Sequence, residues 1–336
     1  MRRRELLGAA ALLAPALARS APARSPAAWP ERALHLIVAY PPGGVSDETA
    51  RLLAQGLTTR LKVQVLVENR AGAGGVAAME ALARAAPDAY TLCYSAISPL
   101  IAAPLLGKPA YDAQRDFQPV IAVMHTPVLL LAGPQLKAAT LAEVLAVARA
   151  APGSVRWASS GLATVGHLVM EQVALAAGVQ ITHVPYKGGG QQLTDALGGQ
   201  FEMLSSNVAP QQLDYLRQGR LKAMAVGAPQ RLAVLPDVPT LAELGFPDAN
   251  LVSTFGLFAP RGLPADRLLR LNRLLNELLQ QGPLRERLAA SSNLAGGGSP
   301  QDFAQHIARE RERLLRPLER LQRLQRLQQP AASAPR

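Results

Sequence analysis

One cysteine, Cys93, stands in 336 residues. That excludes an internal disulfide framework and any Cys₄ zinc or iron–sulfur site, and a thiol in so apolar a strand reads as a buried, inert group. Aromatic residues make up 4% of the chain, too few for a base-stacking platform for single-stranded nucleic acid. The five histidines (His35, His125, His167, His183 and His306) show no paired metal-ligand spacing. There is no G-x-S-x-G nucleophile elbow, no Gly-Lys-Ser/Thr phosphate loop and no serine in a recognisable nucleophile setting. Past the N-terminal region, no run is long and apolar enough to span a bilayer. No metal, cofactor or catalytic centre is expected.

Basic charge is not lacking, but it is confined. Of the net +11, residues 1–30 hold five arginines against Glu5, and residues 309–336 hold eight arginines against three glutamates. The body between carries only about +2. A nucleic-acid-binding domain would carry a basic face, so no nucleic-acid partner is expected.

The N-terminal excess reads as an export signal. Arg2, Arg3 and Arg4 form a basic n-region, residues 6–17 an apolar h-region too short for a membrane span, and Ala16-Leu17-Ala18 and Ala21-Pro22-Ala23 are cleavage candidates. Residues 1–23 are therefore expected to be a signal peptide. Arg3-Arg4-Glu5-Leu6-Leu7 fits a twin-arginine pattern, and an arginine-rich general secretory signal fits as well. No cysteine follows for a lipid anchor, so the mature protein is expected to be soluble and exported. At the other end, residues 309–329 read as a charged helix with Leu314, Leu315, Leu318, Leu321, Leu324 and Leu327 on one side. Pro317 is expected to kink it or to start a new first turn. The stripe can dock on the body or self-associate; docking, and a monomer, is the expectation. The Ala/Pro-rich end, 330–336, is expected to be disordered.

The body alternates strands and helices. Strands are expected over 33–40, 63–68 and 90–95, with helices from about Ser46 to Leu61 and over 76–86. The pattern restarts with strands over 120–123 and 128–132, a helix over 140–150, a strand over 155–159 and a helix over 165–177. A strand over 181–184, a helix over 191–197, strands over 201–205 and 221–226 and a short helix ending at Gly245 follow. An apolar stretch over 251–259 and helices over 264–290 and 300–315 close the body. Such alternation with short loops implies parallel, doubly wound α/β sheets in two lobes, with ligands at the carboxyl ends of the strands in a cleft between them.

Two loops suit an anion there. Pro41-Pro42-Gly43-Gly44-Val45-Ser46-Asp47 combines glycines, which let a ligand approach the backbone, with a helix start whose N–H groups are unpaired. Ser159-Ser160-Gly161-Leu162-Ala163-Thr164 repeats the device, with His167 one turn further on. Each can equally be a plain capping turn. The loop 185–190 sets Lys187 beside glycines, as an anion contact or as a solvated lysine. Gly72-Ala73-Gly74-Gly75-Val76-Ala77 matches a dinucleotide fingerprint poorly, because it follows the second strand and no acid ends the next one.

Taken in order, these segments resemble the substrate-binding proteins of tripartite tricarboxylate transporters, the Bug-type receptors. The resemblance rests on Trp29-Pro30-Glu31-Arg32, Tyr40-Pro41-Pro42-Gly43-Gly44, Val67-Glu68-Asn69-Arg70-Ala71-Gly72-Ala73-Gly74-Gly75, Ala86-Pro87-Asp88, His183-Val184-Pro185-Tyr186-Lys187-Gly188-Gly189, Gly219-Arg220-Leu221-Lys222-Ala223 and Leu235-Pro236-Asp237-Val238-Pro239-Thr240. It implies a type II periplasmic-binding fold closing on a small carboxylate: a di- or tricarboxylate, an acidic amino acid or an aromatic acid. It implies lobe 1 over 24–127 plus 253–315, lobe 2 over 128–252, and 316–336 as an appended helix and tail. Membrane transporter subunits are the implied partners. Carried onto this chain, the ligand contacts are Tyr40, Pro42, Gly43, Gly44 and Ser46 in one lobe, and Ser159, Ser160, Gly161 and Thr164 in the other. Ser95 and Ser98 complete the pocket, with His167 and Asn207 as further candidates. The glycine loop at 72–75 then reads as structural. The loop after the third strand is more apolar than is common in the family, which leans toward a ligand with one carboxylate end and a less polar remainder. The alternatives are an exported hydrolase-like enzyme and a receptor repurposed as a ligand-sensing partner.

Overall fold

An apolar run with only His35 turned outward makes β1 (Leu34–Val38). After a short loop, α1 (Val45–Leu61) starts at the N-cap Gly44 and stops at Lys62, whose φ of 60° ends the helix in the left-handed region. Its buried positions Ser46, Ala50, Leu53, Ala54, Leu57 and Leu61 recur at intervals of three and four, the stripe of a helix laid on a sheet. β2 (Val65–Asn69), α2 (Val76–Ala83) and β3 (Thr91–Ala96) repeat the unit, and β1 lies between β2 and β3, parallel to both. Two one-turn helices follow, α3 (Ser98–Ile101) and α4 (Ala103–Leu106). The computed structural model describes residues 29–328, so the expected signal peptide and the end at 330–336 lie outside the described residues.

The middle of the chain is organised by one long strand, β4 (Phe117–Ala132). Beyond it come α5 (Leu141–Ala150), β5 (Arg156–Ser159), α6 (Val165–Ala177), β6 (Thr182–Pro185), α7 (Gly189–Leu197), β7 (Met203–Asn207), α8 (Pro210–Arg217) and β8 (Lys222–Gly227). The chain then returns through β9 (Val252–Pro260), α9 (Ala265–Gln280), α10 (Pro283–Ala290), β10 (Leu294–Gly297) and α11 (Pro300–Gln328). Strand order is β2-β1-β3-β9-β4-β7-β5-β6, with β10 and β8 also paired to β4. Residues 117–127 of β4 pair with β9, and residues 128–132 pair with β7 and β8. The partner change falls at Pro127, which has no N–H for a ladder and whose carbonyl accepts from Val208 N–H.

Several elements differ from the sequence reading. The strands expected at 120–123 and 128–132 are one continuous β4. The sheet is mixed: β5 is parallel to β6 and β7, but β9 runs antiparallel to β3 and β4, and β7, β8 and β10 run antiparallel to β4. The segment before Gly245 is a hydrogen-bonded turn, too short for a helix. Pro317 does not end the last helix, which runs unbroken over 29 residues with Pro317 inside it. Leu314 and Leu318, one on each side of that proline, are both buried.

The returning segments pack on the first half of the chain. Phe303 of α11 is fully buried against Phe258 of β9, ring centroids 5.3 Å apart. It fits because residue 256 is glycine: a Cβ there would lie 2.2 Å from Phe303 Cζ. Gln322 Nε2 donates to Leu105 O at 2.7 Å, tying the later turns of α11 to α4.

Candidate functional site

The loops that follow strands decide where the helix starts lie. Because β5, β6 and β7 run parallel, the helices after them, α6, α7 and α8, begin at the same edge of their sheet. Across from that edge, β1 delivers the start of α1 and β3 delivers the loop at Ala96–Ser98. Between them lies a cleft of about 320 Å³. All four helix starts reach its wall, through Gly44, Val45 and Ser46, through Thr164, Val165 and Gly166, through Gly189 and Gly190, and through Ala209 and Pro210.

These starts are not equally free to meet a ligand. Thr164 caps α6, accepting from His167 N–H with its hydroxyl and donating that hydroxyl to Gly161 O at 2.7 Å. Gly44 and Gly188, the N-caps of α1 and α7, have no side chain to cap with, so the first N–H groups of those helices face the cleft uncapped. Gly44 has ordinary extended dihedrals and an open Cβ direction, with nothing within 4 Å.

The carboxylate of Asp47 braces the first loop from behind. It accepts from Gly43 N–H at 3.1 Å, Arg51 Nε at 3.0 Å and Asn69 Nδ2 at 2.8 Å. Burial pushes this carboxyl up, but those bonds outweigh it and hold it below its ordinary range. Asn69 Nδ2 also donates to Tyr40 O at 2.9 Å. The motif spanning 67–75 thus shapes the loop at 40–47 from behind.

Of the residues singled out in the sequence, the structure brings Tyr40, Gly43, Gly44, Ser46, Ser98, Ser160, Thr164 and Asn207 to the cleft wall. The remainder lie off it. Pro42 is exposed at the rim, its carbonyl 3.9 Å from where a Cβ of Gly190 would stand. Ser95 is buried behind the wall. The Ser159 hydroxyl lies 2.7 Å from His183 Nε2 and exchanges hydrogen bonds with the backbone of Gly161. Gly161 faces Gly74. His167 is 1% exposed; its Nδ1 accepts from Ala163 N–H, its Nε2 lies 3.3 Å from Glu171, and its ring stacks on His183. Burial, then the nearby His167, lowers His183 to about 3, which keeps it neutral.

Ser159 and His183 are therefore a serine–histidine contact, but Ser159 is fully buried and does not reach the cleft. Two serine hydroxyls, Ser95 Oγ and Ser98 Oγ, are buried without a well-formed hydrogen bond, the Tyr40 phenol being the group they approach, and Ser98 lines the cleft. Near them Tyr40 packs edge-on against Phe255, with burial pushing its phenol well above the usual range.

Several wall residues escaped the sequence reading. Ser205 and Ser206 at the end of β7 and Pro210 and Gln212 at the start of α8 are among them, where Ser-Ser-Asn followed three residues on by proline was the available signal. Glu48 and Arg287 also line the cleft, paired with one another from α1 and α10. No group of three or more metal-ligating side chains occurs among the described residues, and no described helix is long and apolar enough to cross a membrane.

Comparison with known proteins gives this architecture a family. The profile of the tripartite tricarboxylate transporter family receptor matches residues 49–322. Protein BugT of Bordetella pertussis is 37% identical over 287 residues, spanning 85% of this chain and 88% of its own. Among solved structures, MatC of Rhodopseudomonas palustris with bound malate superposes with a TM-score of 0.82 at 32% identity, covering 87% of this chain and all of that one. A second R. palustris protein, solved with adipate, gives 0.81 at 31% identity, covering 86% and 97%.

Proposed function

This chain belongs to the tripartite tricarboxylate transporter receptor family, and from that premise we propose that it is a periplasmic receptor that captures a small carboxylate and presents it to a membrane transporter. One observation carries the carboxylate reading. Four helix N-termini from both sides of the cleft converge on one space, with uncapped N–H groups at α1 and α7 and the Ser98 hydroxyl among them. Each helix start favours an anion by roughly 0.3–2 kcal/mol, the upper end where water is excluded.

The two sides of the cleft act as lobes, 29–127 with 253–315 against 128–252, joined by the crossing strands. A ligand that touches both favours the state in which they are apposed, which is all that signalling occupancy to a transporter requires. Such work needs no chemistry, and the buried Ser159–His183 pair has no access to a substrate in the cleft. Bound malate and adipate in two relatives support the same ligand class here.

Thermal denaturation and calorimetry against a panel of mono-, di- and tricarboxylates, acidic amino acids and aromatic acids test the reading. At a hundredfold excess over Kd a ligand stabilises the native state by about 2.7 kcal/mol, several degrees in Tm. A panel that leaves Tm unmoved in folded protein refutes it.

A further inference from the structure

The helix starts account for one anionic end of a ligand. The cleft wall holds one more anion-binding group, Arg287 in the last turn of α10. Its partner is Glu48, in the first turn of α1, and these are the charged side chains on the wall. Arg287 Nε donates to Glu48 Oε2 at 3.1 Å, and Nη2 donates to the same oxygen. Both bonds end on one carboxylate oxygen. The second edge of the guanidinium, Nη1 with Nη2, is therefore not engaged by Glu48, and that edge suits a carboxylate bidentately.

Both side chains are about 40% exposed, 39% for Arg287 and 41% for Glu48. An ion pair so exposed is worth little, on the order of 0–1 kcal/mol, so exchanging or sharing its partner costs little. Glu48 has a second consequence. Its carboxylate stands in the first turn of α1, beside the N–H groups that would receive a ligand, and without Arg287 it would repel an incoming anion. The pair also divides the cleft from a shallow outer groove formed by Arg51, Leu52, Gln55 and Pro283, so it stands at one end of the binding space.

We propose that Arg287 is the specificity-determining residue for a second carboxylate, so that the preferred ligand is a dicarboxylate, one end on the helix N-termini and the other on Arg287 as it turns from Glu48. The proposal rests on the carboxylate reading and narrows it. It departs from the less polar remainder suggested by the third-strand loop, because Arg287 supplies a charge from a distant part of the chain.

Calorimetry with acids matched in length tests this: butanoate against succinate and hexanoate against adipate, on the full protein, on Arg287→Gln and Glu48→Gln, and on the double variant. In Arg287→Gln, where Glu48 stands unopposed, the monoacids should weaken several-fold and the diacids about tenfold beyond that; in the double variant Glu48→Gln/Arg287→Gln, free of that repulsion, the monoacids should stay within about twofold of the unaltered protein while the diacids weaken about tenfold. In Glu48→Gln, with Arg287 unopposed, the diacids should tighten several-fold. An unchanged ratio of diacid to monoacid affinity in Arg287→Gln overturns the proposal and leaves the carboxylate reading standing. So does preferred binding of 4-aminobutanoate that is lost in Glu48→Gln, because the pair would then read an ammonium group through Glu48. Failure of every acid to bind the unaltered protein overturns both.

Discussion

Gly188 lies against the ring of Pro41 so closely that a Cβ on it would stand 2.5 Å from Pro41 Cδ and 3.0 Å from Cγ. The two residues belong to opposite sides of the cleft, Pro41 to the β1–α1 loop and Gly188 to the β6–α7 loop. A second such contact lies nearby, where Gly161 meets Gly74 and a Cβ on Gly74 would fall 2.3 Å from Leu162 O. The cleft sides touch where at least one of each pair is a glycine.

Gly188→Ala isolates this closeness. Gly188 has φ of 171°, an extended conformation open to any residue, so alanine adds no backbone strain. Its methyl group meets a rigid ring only when the cleft sides are apposed. Carboxylate affinity should fall roughly three- to tenfold, with Tm of the unliganded protein unchanged within a degree or two. Calorimetry beside a melting curve checks both; unaltered affinity would show that apposition at this point contributes nothing.

Gly44→Trp should abolish carboxylate binding without unfolding the protein. The Cβ direction at Gly44 is open and its dihedrals are ordinary, so an indole enters the cleft over the start of α1. Thermal shift on addition of acids should disappear while the unliganded Tm is kept. Binding that survives would move the ligand away from α1.

Acidification should destabilise the protein before its carboxylates titrate. Burial, then the neighbouring His306, holds His125 down at about 4, and His183 is held at about 3, whereas an unfolded histidine titrates near 6.5. Below about 6.5 the unfolded chain binds protons that the folded chain refuses, so stability is complete above that pH and declines as pH falls toward 4. His125→Gln should make the slope of Tm between pH 6.5 and 4.5 shallower. Parallel slopes would remove His125 from the account.

Phe303→Ala should cost about 3–5 kcal/mol by leaving a cavity against Gly256 and Phe258, measurable as a lower urea midpoint. Carboxylate affinity should be kept, because Phe303 does not line the cleft.

Much of the site is legible in the chain because it is local. A strand, a turn of glycine and serine and a helix start are consecutive in sequence, so the loops around Gly44 and Thr164 stand out from residue order alone. The start of α8 has the same form, but its N-cap is Ala209, with no polar side chain to announce it. Arg287 and Glu48 meet across 239 positions, and no periodicity links them. Only the fold separates Ser160 from Ser159: adjacent residues point to opposite sides of the chain, one to the cleft and one to His183. In the sheet, β4 reads as two strands because Pro127 and polar neighbours interrupt its apolar pattern, whereas the break is a change of partners within one extended chain. Pro317 removes one helical hydrogen bond, yet burial of Leu314 and Leu318 holds the helix on both sides of it.

The slot that β9 fills has a consequence for the order of events during synthesis. β9 sits between β3 and β4, bonded to both, yet it is made some 120 residues after β4 ends. Until Val252–Pro260 emerges, the nascent chain carries two open sheet edges flanking a gap, each a template for pairing with another molecule. A ribosome-bound chain cut short before Val252 should therefore aggregate or recruit chaperones, and one extended past β9 and α9 should not.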